Sequence, residues 1–200
     1  MVKPHSQSCE NNKLPILKVL IHAFHDRTRV LEIGSGTGQH AVFFAENLSH
    51  LFWQTSDQPM YHSGIVAWIE SSTARKPGWP LTLNVAKDTW PEDDFDAMFS
   101  ANTCHIMSWT EVQSMFKGIG RVLPVGGVFA LYGPFNRCGE FTSEGNERFH
   151  QSLTTRNPLM GIRDDQDIFT LAIACGLVCE DDHEMPANNR LLVFRKQSQE

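Results

Sequence analysis

No cluster of lysine or arginine occurs anywhere along these 200 residues, and acidic residues outnumber basic ones by 23 to 17. Proteins that track a nucleic-acid backbone normally carry a basic patch. DNA, tRNA and rRNA are therefore not expected as partners. No apolar run approaches the ~18 residues that would span a bilayer, so no membrane role is expected either. Met1 to Asn12 is polar and lacks the apolar core of a signal peptide. The cytoplasm is the expected location. Cysteine is sparse and odd in number: Cys9, Cys104, Cys138, Cys175 and Cys179. They do not read as a disulfide framework. Cys175 and Cys179 have only His183 near them, which completes no zinc set, and buried thiols are the expected reading. No metal is expected. The chain also lacks Asx-Pro-Pro, the strand-end signature of amino-methyltransferases acting on bases or glutamine.

The rest of the composition is ordinary for a globular chain, at 41% hydrophobic and 20% charged residues. This length suits a single domain, residues 1–200, with one sizeable core. Apolar periodicity predicts helices over 13–25 (starting near Pro15), 38–48, 61–73, 110–122, 144–154 and 168–175. It predicts strands over 29–33, 51–56, 81–85, 96–100, 128–132, 177–183 and 191–196, with 76–80 as a loop. Alternating strands and helices imply α/β: a mostly parallel seven-stranded Rossmann-like sheet with helices on both faces. Residues 134–165 are less periodic and read as an insertion on the substrate side.

The most informative segment is Val30-Leu31-Glu32-Ile33-Gly34-Ser35-Gly36-Thr37-Gly38-Gln39-His40. An apolar strand carries an acid, three glycines alternate, and a helix begins. Glycine lets a ligand approach bare backbone and tolerates positive φ. A dinucleotide fingerprint needs G-x-G-x-x-G, but Gln39 occupies its third position and the third glycine falls early, at Gly38. Glu32 suits a cationic ligand better than a pyrophosphate. The pattern resembles the E/D-x-G-x-G-x-G of class I S-adenosylmethionine (SAM) methyltransferases. A glycine-rich turn in another α/β domain, or a degenerate NAD(P) site of an oxidoreductase, stays open on this segment alone.

Ligands of open α/β sheets bind outside the carboxyl ends of the strands. At these ends lie the candidate cofactor-binding residues: Glu32, Gly34, Ser35, Gly36, Thr37 and Gly38, then Asp57 and Gln58, then Asn84 and Val85, then Asn102. Asp57 can accept both ribose hydroxyls, a logic NAD sites share, or it is a surface loop residue. Asn84 can accept from an adenine amino group through its amide oxygen. His105, past the fourth strand, is the candidate catalytic residue, as base or orienting group; packing is the bland alternative. Cys104 reads as a buried thiol, since SAM transfer needs no protein nucleophile. Tyr132, Phe135, Asn136, Asn146, Phe149, Asn188 and Asn189 are expected to rim a substrate pocket. Turn formation is the alternative for the two final asparagines. Arg163 with Asp164 and Asp165 reads as a helix-start salt bridge, or else as a carboxylate clamp.

Over nearly its whole length the chain resembles the family of small methyltransferase-like proteins that includes methyltransferase-like protein 26. The resemblance rests on the segment from Val30 to Ala41, Trp53-Gln54-Thr55-Ser56-Asp57 and His105-Ile106. It continues through Leu131-Tyr132-Gly133-Pro134-Phe135, Gly161-Ile162-Arg163-Asp164 and Glu184-Met185-Pro186-Ala187-Asn188-Asn189. It implies a class I SAM-binding fold, SAM as cofactor and methyl transfer to an oxygen, nitrogen or sulfur atom of a small molecule. It specifies no substrate. Asn84 stands where that family usually has Asp, and Cys9-Glu10-Asn11-Asn12 stands where a Glu-Arg-Asn pattern is expected. Two alternatives remain: a SAM-binding partner subunit without catalysis, and an NAD(P)-dependent oxidoreductase, which Gln39 at the third fingerprint position disfavours. The oligomeric state is not legible.

Overall fold

A computed structural model describes residues 3–92 and 94–198. The outermost residues of the expected domain, 1–2 and 199–200, and residue 93 lie outside this description. A seven-stranded sheet runs in the order β3-β2-β1-β4-β5-β9-β8. Its strands are β1 (Arg29–Ile33), β2 (Phe52–Asp57), β3 (Gly78–Thr82), β4 (Ala97–Ala101), β5 (Val128–Gly133), β8 (Leu177–Met185) and β9 (Asn189–Lys196). The pairs from β3 to β5 are parallel, while β9 is antiparallel to both β5 and β8. Helices α1 (Gln7–Ala23), α2 (Gln39–Asn47), α3 (Pro59–Ser71), α4 (Trp109–Val122), α5 (Glu144–Arg156) and α6 (Asp165–Ala174) cover it. The short strands β6 (Phe135–Asn136) and β7 (Arg163–Asp164) pair with each other. Among the described residues no helix is long and apolar enough to cross a membrane.

The central strands are apolar on both faces because both are covered. Along β5, Phe129 and Leu131 join the core under α4 and α6, while Val128, Ala130 and Tyr132 join the core under α1 and α2. Helix α4 shows how sequence dictates an element. The Ser108 hydroxyl accepts from the Glu111 amide at 3.3 Å, and the Glu111 carboxylate accepts from the Ser108 amide at 2.8 Å. This capping box satisfies two donors at the helix start. Val112, Met115, Phe116 and Ile119 then bury one face.

Two expectations are corrected. The first helix begins at Gln7, not near Pro15, which lies inside it. Its polar first turns are held by tertiary bonds that periodicity does not register. Ser6 caps the helix, and its amide donates to Gln39 Oε1 at 2.5 Å. The Gln39 amide donates to Glu10 at 2.8 Å, and Asn12 meets His40 Nε2 at 2.6 Å. The third strand lies at Gly78–Thr82, upstream of the expected 81–85. Here Gln54 Nε2 donates to the Trp79 carbonyl at 2.6 Å and Thr55 Oγ1 to the Gly78 carbonyl at 2.8 Å. These β2 side chains draw the Pro-containing segment into the sheet, and Pro80 is tolerated because the strand is at an edge.

A buried charge cluster ties the far edge together. Arg190 on β9 donates to Asp165 at the start of α6 (2.8 Å) and to Asp182 on β8 (2.8 Å through Nε). Asp165 is 2% and Arg190 5% exposed. Burial pushes the Asp165 carboxyl upward, but the bonds from Arg190 and the Cys138 amide outweigh it and hold the carboxyl below its ordinary range.

Candidate active site

Two cavities open at the carboxyl ends of the parallel strands, and Gly34 borders both. The smaller, about 40 Å³, is lined by Asp57, Gln58, Asn84, Val85, Met107 and Glu111, among others. The larger, about 700 Å³, runs from the glycine loop across Asn102, His105 and Tyr132 to α5.

All three glycines of the loop are left-handed: φ is 73° at Gly34, 57° at Gly36 and 88° at Gly38. The three glycines do different work. A Cβ at Gly36 would meet nothing within 4 Å, so this glycine is an open cradle. At Gly34 it would meet Thr103 Cγ2 at 2.7 Å, and at Gly38 the Ile65 backbone at 2.9 Å. Gly38 thus lets α2 pack against α3 and lines neither cavity. Ser35 and Thr37 line the large cavity.

Glu32 lies beneath the loop. It is 2% exposed, lines neither cavity, and accepts from Ser35 Oγ at 2.9 Å and Trp53 Nε1 at 3.1 Å. Burial pushes its carboxyl up to about 7, against the lowering effect of those two bonds. An unfolded glutamate ionises well below that value. Stabilisation from Glu32 is therefore full in acid and lost as pH rises through about 7. Thermal melts of the wild type should show a falling melting temperature from pH 5 to 8, and Glu32→Gln should flatten that slope. A variant with the wild-type slope would assign the dependence to another group.

Asp57 ends β2 with its carboxylate accepting from the Gly36 amide and its neighbour Gln58 amide, both at 2.7 Å. Burial raises its pKa and those two bonds oppose the rise. Asn84 and Val85 follow β3; the Asn84 side-chain oxygen accepts from the Ala86 amide at 3.1 Å in a turn. Asn102 holds the left-handed φ of 61° that asparagine tolerates. Its amide donates to the Tyr132 carbonyl at 2.8 Å, which fixes the mouth between β4 and β5.

His105 faces the large cavity and packs edge-on to Phe149, ring centroids 5.2 Å apart. Burial, with the nearby Arg163 cation, lowers its pKa to about 4, so the ring is neutral. Arg163 pairs with neither Asp164 nor Asp165, against the sequence reading. Its guanidinium donates to the carbonyls of Cys104 (3.1 Å), Leu159 (2.8 Å) and Met107. The Gly161 amide donates to the His105 carbonyl at 3.0 Å. The turn bearing His105 leaves carbonyls without regular partners, and a planar fork of donors satisfies several at once. Cys104 is buried, its thiol pushed up to about 12 by burial, and is no nucleophile. It is the one fully buried cysteine: Cys9, Cys175 and Cys179 are half-buried and Cys138 is exposed.

Of the expected substrate residues, Tyr132, Asn146, Phe149 and Asn189 line the large cavity. Phe135 instead points into the core under α4 and α6, and Asn136 pairs with Asp164 between the two short strands. Neither lines the cavity, because β6 turns away from the sheet to meet β7. Asn188 has a φ of 54°, and its carbonyl accepts from Asn146 Nδ2 at 3.2 Å. Asn189 bonds the Pro186 carbonyl at 3.0 Å. Both serve the 3-10 turn Pro186–Asn188 between β8 and β9, so turn chemistry accounts for them.

Sequence reasoning missed the roof of the site. Ser6, Ser8, Cys9, Asn11 and Asn12 of the first helix line the large cavity, with His40 beside them. The departure noted at Cys9–Asn12 was the available signal. Burial keeps His40 neutral, its pKa near 4. Arg156, at the end of α5, was also missed. Among the described residues no group of three or more His, Cys, Asp or Glu is placed to hold a metal.

A family model covers residues 3–196. The chain belongs to the DUF938 family. Its description is "protein of unknown function". Solved structures share the fold of this DUF938 chain at low identity. Human N-acetylserotonin methyltransferase, in complex with SAM, superposes with a TM-score of 0.82 at 13% identity, covering 96% of this chain and 53% of that one. An O-methyltransferase family protein from Burkholderia thailandensis gives 0.81 at 14% identity, covering 96% and 58%. PigF with S-adenosylhomocysteine (SAH) gives 0.79 at 14% identity, covering 91% and 55%. The DUF938 chain thus spans a little over half the length of these neighbours. The likeness shows a Rossmann-like methyltransferase fold, as the alternation of strands and helices predicts.

Proposed function

We propose that this protein binds SAM and transfers its methyl group to an oxygen, nitrogen or sulfur atom of a small molecule. In kind it is a relative of the methyltransferase-like protein 26 family. The observation that carries the reading is the bond from the Gly36 amide to Asp57. A pyrophosphate would need the loop's N–H groups. Here a carboxylate already occupies one of them, so the loop suits a cationic ligand and disfavours NAD(P). The open cradle at Gly36 and the two cavities that share Gly34 as a border fit an elongated donor. Asp57, Asn84 and Val85 would hold its adenosine, and Gly34, Gly36 and Asn102 its amino-acid end.

SAM supplies a methyl group already activated by a sulfonium, so the protein's task is alignment and a place for the acceptor's proton. A neutral His105 ring can accept a hydrogen bond from the acceptor. With a pKa near 4, far below the working pH, it orients the acceptor, and the proton released on transfer passes to water. Arg163 fixes the turn that aims it.

Calorimetry should show SAH binding and no measurable NAD binding. Asp57→Ala removes charge-assisted bonds worth ~1.5–3 kcal/mol each, so SAH affinity should fall at least about tenfold. Unchanged affinity would reduce Asp57 to a loop residue, and tighter NAD binding would overturn the reading. Firm SAH binding with no transfer of labelled methyl to any compound of a metabolite extract would point to a noncatalytic partner subunit.

A further inference from the structure

Helix α5 presents Asn146, Phe149, Leu153 and Arg156 to the large cavity. Their spacing of three, four and three residues places them on one helix face. At 1.5 Å rise per residue the stripe is about 15 Å long. It is amide at one end, apolar in the middle and cationic at the other end. Phe149 touches His105 edge-on, so the stripe forms the wall where the methyl acceptor would lie.

The charge balance of that cavity is one-sided. No aspartate or glutamate occurs among its described lining residues. His40 and His105 are neutral there, which leaves Arg156 as the cation. The other arginines of the insertion are engaged: Arg137 pairs with Asp182 at 3.6 Å, Arg148 with Glu144 at 3.4 Å, and Arg163 donates to carbonyls. Among the described residues Arg156 makes neither an ion pair nor a side-chain hydrogen bond. A planar guanidinium with free donors matches a carboxylate in two-point fashion.

We infer that the methyl acceptor is a small carboxylate with an apolar body, its anionic group on Arg156 and its body on Phe149 and Leu153, which brings its nucleophilic end toward His105. This rests on the proposed SAM-dependent reading. The donor also carries a carboxylate, and the geometry favours the acceptor's because α5 meets the site at His105 rather than at the glycine loop.

The test is calorimetry on the SAH-loaded protein with 4-hydroxybenzoate and hexanoate, each compared with its amide. At least one carboxylate should bind about tenfold or more tightly than its amide. Arg156→Gln should erase that preference, and Arg156→Lys should recover part of it. SAH affinity, measured first, should be unchanged in both variants, which also shows that they fold. Equal binding of amide and acid, binding of neither acid, or a preference that survives Arg156→Gln would overturn the inference. So would weakened SAH binding in Arg156→Gln, which would assign the guanidinium to the donor's carboxylate. Failure of the wild type to bind SAH would be a failure of the SAM reading instead.

Discussion

Arg190→Met should lower stability by about 3–5 kcal/mol, the range for removing one partner of a buried ion cluster. For a chain of this size that is a fall in melting temperature of about 6–20 °C. Arg190 Nη1 is 2.8 Å from Asp165, which is almost fully buried, and the same guanidinium also holds Asp182. Without it, Asp165 keeps neutral donors in the Cys138 amide at 3.3 Å and Gln166 at 3.4 Å, but its nearest counter-charge is the exposed Arg137, 4.0 Å away. The loss should be greater at pH 8 than at pH 5, because in acid the stranded carboxyl can take up a proton. Adding Asp165→Asn to Arg190→Met should recover part of it, since the penalty belongs to the uncompensated charge. Differential scanning calorimetry at both pH values checks this. A single variant melting within about 2 °C of wild type would show that water reaches the cluster and screens it.

On the proposed methyl-transfer reading, His105→Ala should leave the fold and SAH affinity near wild type and cut turnover by ~10²-fold, the scale for losing a group that orients the acceptor. The ring lines the large cavity and makes no side-chain hydrogen bond among the described residues. Its backbone, not its ring, is tied to Gly161. The loss should appear in kcat rather than in donor binding. A variant that melts early and loses SAH together with activity would make His105 a packing residue. A stable variant with full activity would remove it from the chemistry altogether.

What the sequence made legible was what local physics dictates. The glycine loop, Asp57 at a strand end, the helix over 110–122 and the two-sided apolar strands all follow from spacing, periodicity and alternation. What escaped was set by contacts across the fold. Residues 7–12 are polar and carry no helical apolar period, and it is the bonds from Gln39 and His40 that hold them. Gly78–Pro80 reads as a loop until Gln54 bonds the Trp79 carbonyl. Arg163 stands beside two aspartates in sequence, yet the carbonyls of the His105 turn take its donors. Phe135 and Asn136 follow Tyr132 so closely that they invite the same role, but the chain turns into a second, two-stranded sheet. Arg156 carries no motif; only the pitch of α5 shows which way it faces.

The position of β9 between β5 and β8 also bears on how the chain is made. Strand β5 has one edge that is closed only by residues 189–196, more than fifty residues later in synthesis. Until they emerge from the ribosome, Val128–Gly133 presents an apolar, unpaired edge, the kind of surface that recruits other chains. The same late strand carries Asn189 of the cavity wall and Arg190 of the ion cluster. Native folding of the site thus waits on the arrival of a single late segment. A nascent chain stalled before that segment is the species for which a holding chaperone would matter most.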